Sequence, residues 1–397
     1  MTLATRITKM NVFVLSIVTV TYVELATSQT DLRWNKRSNN FEAISHATIR
    51  EHGVRKVALE KERPDHRGIF EYYDNDTKVK VLILFPKRKK HYELLKSCER
   101  LWSHVECERD LAVVEEYAHQ KLQVMYIYLS SAFGTSLCFL ISPLFTSFVV
   151  AANGTVLISK SLPWSAGIFH DNVMKFYIWY GLQVPATLSV LTSITSINIA
   201  PFFYAMHAGI HMRLCQKKFE SVNEQIVFEK TLTKNDSTWN AMKNKFFQHV
   251  VSGVVYHSET LQYCQGIEEI FQSVIFTEIF SSFVAISGYC FLSQVVPKEN
   301  LPKVAVSMLA LIMGIFLLCW PPDSLQDESF KVSHAAYNLR WYEWTRKEGK
   351  LVYIIIEKSQ KPVVITANKM VVLSLETFAW FLKSAFSMFT LLQRVME

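Results

Sequence analysis

The stretch at residues 362–395 decides the fold class, and it reads PVVITANKMVVLSLETFAWFLKSAFSMFTLLQRV. It is long enough to cross a bilayer, since about 20 predominantly apolar residues in a helix span the hydrocarbon core. Lys369, Glu376 and Lys383 interrupt it at intervals of seven residues. Because that spacing drifts by only about 20° per step around an α-helix, we expect one ionisable stripe. The stripe favours either a buried network between helices or a helix that lines a water-filled path.

Other apolar runs indicate a protein that crosses the membrane several times. They lie at residues 124–152, 176–206, 270–296, 304–320 and 363–395, with a weaker run at 11–26. Half of the residues are hydrophobic and 19% are charged, below the roughly 25% usual in soluble domains. We therefore predict an all-α, polytopic membrane bundle of about seven spans, of which six are visible in the sequence.

The positions of Lys and Arg predict the orientation, because short cytoplasmic loops retain basic residues. Segments 85–123, 207–269 and 321–361 hold eight, seven and seven of them, whereas segments 153–175 and 297–303 hold two each. We therefore expect the three basic segments in the cytoplasm and the C-terminus outside the cell. This orientation opposes a metabotropic seven-helix receptor, whose C-terminus is cytoplasmic. Asn153 begins a glycosylation sequon in a segment expected outside.

The N-terminal region, residues 1–123, is the least informative part of the chain. Residues 11–26 fit a first span near the start or a signal peptide. A single span before a charged cytoplasmic segment leaves the N-terminus outside, so a cytoplasmic N-terminus requires a second span, and none is recognisable between Thr27 and Phe85. After this region we expect a transmembrane bundle at 124–320 with a long cytoplasmic loop at 207–269, a cytoplasmic element at 321–361 and a final span at 362–397.

Signatures of soluble enzymes and metal sites are absent from the sequence. It contains no GxGxxG, P-loop, GxSxG or HExxH motif, and its seven cysteines include no CxxC pair. We predict no enzyme, cofactor, metal site or nucleic-acid partner. His207 and His211 are four residues apart, a spacing that two metal ligands can use. Because no third ligand is apparent, the favoured interpretation is one face of a cytoplasmic helix.

A series of short motifs occupies the chain from Asp323 to its end. They are Asp327-Glu328-Ser329, Ala336-Tyr337, Trp341-Tyr342, Lys358-Ser359-Gln360-Lys361-Pro362, Thr366-Ala367, Leu373-Ser374-Leu375-Glu376-Thr377-Phe378 and Ser384-Ala385-Phe386-Ser387. This pattern resembles the insect odorant receptor family. The chain departs from the family at two points: Asn368 stands where the family usually has Gly, and the second of the family's seven spans is not recognisable.

The resemblance implies an odorant-gated, non-selective cation channel. This chain is then the tuning subunit in a heterotetramer with a shared odorant co-receptor, in the plasma membrane of a sensory neuron, with a small volatile ligand. Segment 321–361 becomes an assembly anchor whose aromatic surface comes from Tyr337, Trp341, Tyr342 and Trp344. A helix lying on the membrane surface is the alternative for that segment. A gustatory receptor of the same superfamily and a metabotropic receptor are the alternative functions.

The resemblance also implies which residues carry the function. The last helix lines the pore, with an apolar constriction at Leu391 and Val395 and with Glu376 and Lys383 deeper in the membrane. A mostly apolar ligand pocket falls in the outer halves of the helices, on residues for which helix packing is the alternative: Cys138, Phe139, Ser142, Trp179, Tyr180 and Ser307. Glu278, a lone carboxylate in the 270–296 run, is a further candidate for a buried polar role, with an unknown partner.

Overall fold

A computed structural model describes residues 79–80, 82–105, 108–145, 147–152, 155–160, 173–232, 236–296, 301–339, 341–343 and 345–396 of the chain. The predicted first span at 11–26 and the sequon asparagine Asn153 lie outside these residues. The described chain is mostly helical and its long apolar helices suit a membrane bundle, so the predicted fold class is confirmed.

Long helices dominate the described residues. They are α1 (Arg88–Trp102), α2 (Glu108–Phe145), α3 (Val173–Leu232), α4 (Asp236–Val295), α5 (Leu301–Tyr337), α6 (Arg346–Ser359) and α7 (Leu375–Met396). Single 3-10 turns lie at Phe85–Lys87 and Trp341–Glu343. Two antiparallel hairpins complete the described structure, β1 (Ser147–Ala152) with β2 (Thr155–Lys160) and β3 (Thr366–Ala367) with β4 (Val371–Val372).

Four of the described helices are long and apolar enough to cross a membrane. The candidate spans are Arg109–Ile141 in α2, Tyr177–Ile226 in α3, Lys245–Gln294 in α4 and Leu301–Tyr337 in α5. The stretch predicted as a long cytoplasmic loop, 207–269, is not irregular. Its two halves continue α3 and begin α4, because side chains such as Tyr256 and Tyr263 pack into a core instead of into solvent.

Two apolar runs are shorter as helices than the sequence predicts. The 124–152 run ends its helix at Phe145, and its last residues form β1. The 362–395 run becomes helical only at Leu375, after the β3–β4 hairpin. The predicted three-residue stripe is therefore wrong at Lys369, which lies in the hairpin turn with φ 59°. Glu376 and Lys383 remain on α7.

The chain forms two compact units. In the described part of the chain, one includes Ala132–Ile197 and Ser293–Val306, and the other includes Leu82–Ser131, Asn198–Leu292 and Ser307–Glu397. The core of the second unit includes the part of α3 around Phe203, Met206 and Met212, each at most 2% exposed. Close packing there depends on Gly209, where a Cβ atom would lie 2.1 Å from the hydroxyl oxygen of Tyr117.

Candidate ligand and pore regions

The first unit contains five of the six residues predicted to line a ligand pocket. Cys138 is exposed and Phe139 is half-buried on α2, and Ser142 belongs to the same helix. Trp179, 39% exposed, and the half-buried Tyr180 lie near the start of α3. Aromatic and thiol side chains suit an apolar ligand with few polar groups, and that these residues line a pocket stays a prediction.

Hydrogen bonds within the first unit bring three helices together around this set. The Tyr180 hydroxyl donates to the carbonyl oxygen of Leu140 on α2 at 2.8 Å. The Thr135 hydroxyl of α2 donates to the carbonyl oxygen of Val306 on α5 at 3.4 Å. Ser307, the sixth predicted residue, is 4% exposed and belongs to the second unit. Its share in a pocket with the other five remains a prediction.

One face of α7 packs against its own chain. Phe381 is 2% exposed and Ala385 is fully buried. The ring of Phe381 meets Phe283 of α4 edge-on at 5.9 Å between centroids, and Phe378 meets Phe316 of α5 at 5.4 Å. These aromatic contacts fix the rotation of α7 about its axis.

The opposite face of α7 is exposed and has a polar centre. At about 100° per residue, the exposed polar side chains fall within an arc of about 60°, and they are Glu376, Lys383, Ser387, Thr390 and Arg394. Leu391, 56% exposed, borders this arc, as does Trp380, 63% exposed. Val395 lies on the same helix, four residues beyond Leu391. Three predicted pore residues, Glu376, Lys383 and Leu391, therefore share one exposed surface.

Side chains from α4 and α5 hold the segment that leads into α7. Glu268 accepts a hydrogen bond from the Thr366 hydroxyl, and the Ser273 hydroxyl donates to Asn368 Oδ1 at 3.0 Å. On the other side, Asp323 accepts the backbone N–H of Leu375, the first residue of α7, at 3.1 Å. Asn368 has φ 51°, the left-handed conformation that Gly adopts readily and Asn tolerates. The chain therefore bends before the last helix even though Asn368 replaces the family's usual Gly.

Glu278 has the partner that the sequence could not identify. It is 6% exposed and accepts a hydrogen bond from Asn198 Nδ2 at 3.2 Å, and Asn198 Nδ2 also lies 3.2 Å from the Tyr128 hydroxyl. The three residues come from α4, α3 and α2 respectively. The network satisfies polar groups that are costly to leave unpaired between membrane helices. Asn198 lies in an apolar run of the sequence, but nothing in that run pairs it with Glu278.

A second buried polar cluster lies between α2, α3 and α5, and sequence reasoning missed it. Lys121 is 5% exposed, and its ammonium lies 3.9 Å from the ring centroid of Tyr117 and 4.9 Å from that of Trp320. Gln216 of α3 donates to both the carbonyl oxygen and the carboxylate of Glu328, at 2.7 and 2.9 Å. Only the folded arrangement of the three helices reveals these pairings.

His207 and His211 lie on one helix as expected, but their face is buried instead of open to the cytoplasm. They are 4% and 0% exposed, because α1 packs across them. The indole ring of Trp102 meets both imidazoles edge-on, at 5.3 and 5.1 Å between centroids, and His211 Nδ1 lies 2.6 Å from the Tyr256 hydroxyl. Among the described residues, no group of three or more His, Cys, Asp or Glu side chains is arranged to hold a metal ion.

Segment 321–361 is largely helical, formed by the end of α5, the turn at Trp341–Glu343 and α6. Of the four aromatic residues predicted for its surface, Tyr337 is 63% exposed, Tyr342 is 69% exposed, Trp341 is half-buried and Trp344 lies outside the described residues. Tyr353 on α6, 60% exposed, extends that surface.

Comparison with solved structures supports the same architecture. The olfactory receptor OR5 from Machilis hrabei superposes with a TM-score of 0.62 over 82% of this chain and 80% of that chain, at 14% sequence identity. The same receptor in complex with eugenol matches over 83% of this chain and 81% of that chain, also with a TM-score of 0.62. At this level of identity the likeness concerns the fold alone.

Sequence comparisons identify the family. Odorant receptor 10 of Aedes albopictus is 21% identical over 341 residues, which cover 83% of this chain and 84% of that protein. Odorant receptor 67c of Drosophila melanogaster is 24% identical over 162 residues, 40% of this chain and 39% of that protein. The family model described as 7tm Odorant receptor matches residues 76–386. This match covers most of the chain, and we conclude that the protein belongs to the seven-transmembrane odorant receptor family of insects.

Proposed function

We propose that this membrane protein is the tuning subunit of an odorant-gated, non-selective cation channel. The observation that carries the proposal is the exposed polar arc of α7, from Glu376 to Arg394. Charged side chains are costly against lipid, so membrane helices turn them toward protein or a water-filled cavity. With its opposite face packed on α4 and α5, α7 has its polar arc free to face the axis of an assembly.

The proposed partner is a shared odorant co-receptor in a heterotetramer at the plasma membrane of a sensory neuron. The exposed aromatic side chains Tyr337, Tyr342 and Tyr353 support an assembly surface on segment 321–361. Tyr is enriched at protein interfaces, where it supplies apolar area and a hydroxyl group together. Asn153, at an extracellular position on the predicted orientation, is the proposed glycosylation site.

The proposed ligand is a small, mostly apolar volatile compound. Support comes from Cys138, Phe139, Trp179 and Tyr180, with Ser142 and Ser307 as the proposed polar members of the lining. The fold is similar to that of a receptor whose structure was solved in complex with eugenol. An aromatic compound with one hydroxyl group is therefore a suitable first probe.

The test is ligand-evoked current in cells that express the chain with and without the co-receptor. We expect a panel of volatile aromatic compounds that includes eugenol to evoke a rapid inward cation current only when both subunits are present. Tyr180→Phe, which removes the hydroxyl bonded to Leu140, should shift the concentration for half-maximal response, whereas Tyr126→Phe, on an exposed part of α2 outside the proposed lining, should not. A response that requires a G protein and produces no direct current would contradict the proposal.

A further inference from the structure

Four consecutive cations, Lys87-Arg88-Lys89-Lys90, follow an apolar stretch at the start of the described chain. The preceding helical residues include Leu82, which is 66% exposed. The chain therefore changes from exposed apolar side chains to exposed cations within about two helical turns, or roughly 11 Å.

Contacts with α4 show that this change from apolar side chains to cations lies beside the start of the apolar run of α4. The ammonium of Lys87 donates to the carbonyl oxygens of Glu269 and Ile270, at 2.8 and 3.0 Å. Lys90 forms an ion pair with the carboxylate of Glu269. Ile270 is where the apolar run of α4 begins. The apolar stretches on two different helices thus end at one level, as expected at the boundary between hydrocarbon and headgroups.

Two cations of the four are available at this boundary. Arg88 and Lys89 are exposed, and neither forms an ion pair with a carboxylate in the part of the chain that the structure describes. The guanidinium of Arg88 lies 4.8 Å from the ring centroid of Phe85. Tyr92, one turn further, is 60% exposed. The exposed acid Glu93 directly follows Tyr92 but forms no ion pair with Lys89 in the described residues, and Glu99 lies further along α1.

We infer that Arg88, Lys89 and Tyr92 form a binding site for the headgroup of an anionic phospholipid. The planar guanidinium can bind phosphate oxygens in a bidentate manner, and the ammonium adds a point charge. The exposed side chain of Leu82 offers apolar surface for an acyl chain, which a free phosphate ion would not use. On the orientation predicted from Lys and Arg, the lipid lies in the cytoplasmic leaflet, where anionic lipids attract basic segments next to the membrane.

The test is thermal unfolding of the purified full-length chain in neutral detergent, with added short-chain lipids. A ligand that binds the folded protein raises the unfolding temperature in a concentration-dependent way. We expect dioctanoyl phosphatidylserine to raise it, and dioctanoyl phosphatidylcholine and inorganic phosphate at the same concentrations to leave it unchanged. An equal shift with phosphatidylcholine, or with phosphate, would overturn the inference, as would no shift with phosphatidylserine. The assay needs no channel current, so its outcome is separate from that of the proposed function.

Charge-neutralised variants locate the site. Each cation near an anionic surface contributes roughly a factor of five to affinity, so Arg88→Gln/Lys89→Gln should weaken phosphatidylserine binding on the order of tenfold or more. The matched control Arg100→Gln/Arg109→Gln removes the same charge at exposed positions outside the proposed site, and should change phosphatidylserine binding less than threefold. Equal weakening by the two variants would mean diffuse attraction and would overturn the assignment.

If the charge-neutralised variant does not fold, the site can be tested on the unmodified chain by measuring how the phosphatidylserine-induced rise in unfolding temperature depends on salt. At about 1 M salt the Debye length falls to about 3 Å, and the phosphatidylserine shift should largely disappear. A shift that persists unchanged at that salt concentration would mean apolar binding alone and would contradict a headgroup site.

Discussion

Single residues on α7 divide into those that pack against the chain and those that face away from it. Ala385 is fully buried, whereas Leu391 is 56% exposed although its side chain is apolar. An exposed Leu next to a polar arc suits a narrow constriction, because apolar rings expel water until the pore opens. Single-residue changes can therefore separate packing from gating on one helix.

Replacement of Leu391 tests the proposed constriction. We expect Leu391→Gln, expressed with the co-receptor, to raise the resting leak current while odorant sensitivity remains, because a polar side chain lets water persist in the constriction. Leu137→Gln on α2 is the matched control, since Leu137 has the same side chain and the same 56% exposure. Equal leak in both variants would mean that Leu391 has no special role in the pore.

Gly209 tests the packing of the second unit. Gly to Ala in a helix ordinarily adds up to about 1 kcal/mol of stability, but here the new methyl group meets the Tyr117 hydroxyl at 2.1 Å. Tyr117 is 4% exposed and its ring is covered by Lys121, so it cannot turn away freely. We expect Gly209→Ala to lower the free energy of unfolding by about 1–3 kcal/mol.

The control for Gly209 is Gly288, where no atom lies within 4 Å of an added Cβ. In thermal unfolding, Gly288→Ala should be neutral or stabilising. Tyr117→Phe should recover part of the loss in the Gly209→Ala background, because it removes the overlapping oxygen. If Gly209→Ala is as stable as the unmodified chain, the close packing of α2 on α3 is wrong.

Among the elements, the β3–β4 hairpin determines where α7 begins. Its turn places two residues that are not Gly at positive φ, Asn368 at 51° and Lys369 at 59°. Hydrogen bonds from α4 and α5 hold the hairpin in place. Left-handed backbone costs roughly 1–2 kcal/mol for ordinary residues, and Asn pays less of this cost than most.

Asn368 variants test this turn. We expect Asn368→Gly to keep the unfolding temperature and the surface expression of the unmodified chain, because Gly adopts positive φ without strain. Asn368→Val should lower the free energy of unfolding by about 1–2 kcal/mol, since a β-branched side chain is disfavoured there. Ser273→Ala separates backbone strain from the loss of the side-chain hydrogen bond, because it removes the bond to Asn368 and leaves the backbone of residue 368 unchanged. Equal stability of the Val and Gly variants would contradict a left-handed residue at this position.

The contact of α1 with α3 and α4 predicts a dependence on pH. His91 is 6% exposed, and its Nε2 lies 2.9 Å from the Tyr204 hydroxyl, with Phe271 edge-on. Burial lowers the pKa of His91 from 6.5 to about 4. The unfolded chain therefore takes up this proton first as the pH falls. Stability from His91 is complete above pH 6.5 and is lost towards pH 4, at up to about 1.4 kcal/mol per pH unit.

His91→Phe is the variant that tests this dependence. Measured by chemical unfolding between pH 7 and pH 5, the unmodified chain should lose more stability than the variant. Parallel curves for the two proteins would mean that His91 is already protonated, or exposed, in the folded state.

The sequence predicts an element boundary where the residue pattern changes there, and misses it where contacts with distant residues set it. The second half of α4 and the first half of α5 follow from the apolar runs at 270–296 and 304–320, whose length and composition predict membrane spans. The start of α7 does not, because Val371 and Val372 are as apolar as the helix itself. The β3–β4 pairing and the hydrogen bonds to Glu268, Ser273 and Asp323 precede the helix, and the one local signal is Ser374, whose Oγ accepts the backbone N–H of Thr377 at 3.1 Å. The partner of Glu278 was equally hidden, since Asn198 lies 80 residues away. In contrast, Glu376 and Lys383 lie on one face of α7, as their seven-residue spacing predicts. Leu391 was assigned only through the family resemblance.

At the scale of the whole molecule, the orientation of the chain in the membrane determines which end of the proposed pore surface faces the outside of the cell. The Lys and Arg distribution predicts the C-terminus outside the cell, and the polar arc of α7 then extends from Glu376 towards the outer surface. In a heterotetramer, that arc is the surface this chain can contribute to a common water-filled path. Segment 321–361 would join the subunits on the cytoplasmic side.

Accessibility of Ser387 to a water-soluble reagent tests this pore assignment most directly. Ser387→Cys, expressed with the co-receptor, is exposed during odorant application to an extracellular, membrane-impermeant methanethiosulfonate that adds a positive charge. We predict a lasting reduction of the cation current, with no reduction in the unmodified chain or in Ala385→Cys, whose side chain lies on the buried face. An unchanged current in well-expressed Ser387→Cys channels, or equal loss in Ala385→Cys, would contradict the claim that the polar arc of α7 lines the pore.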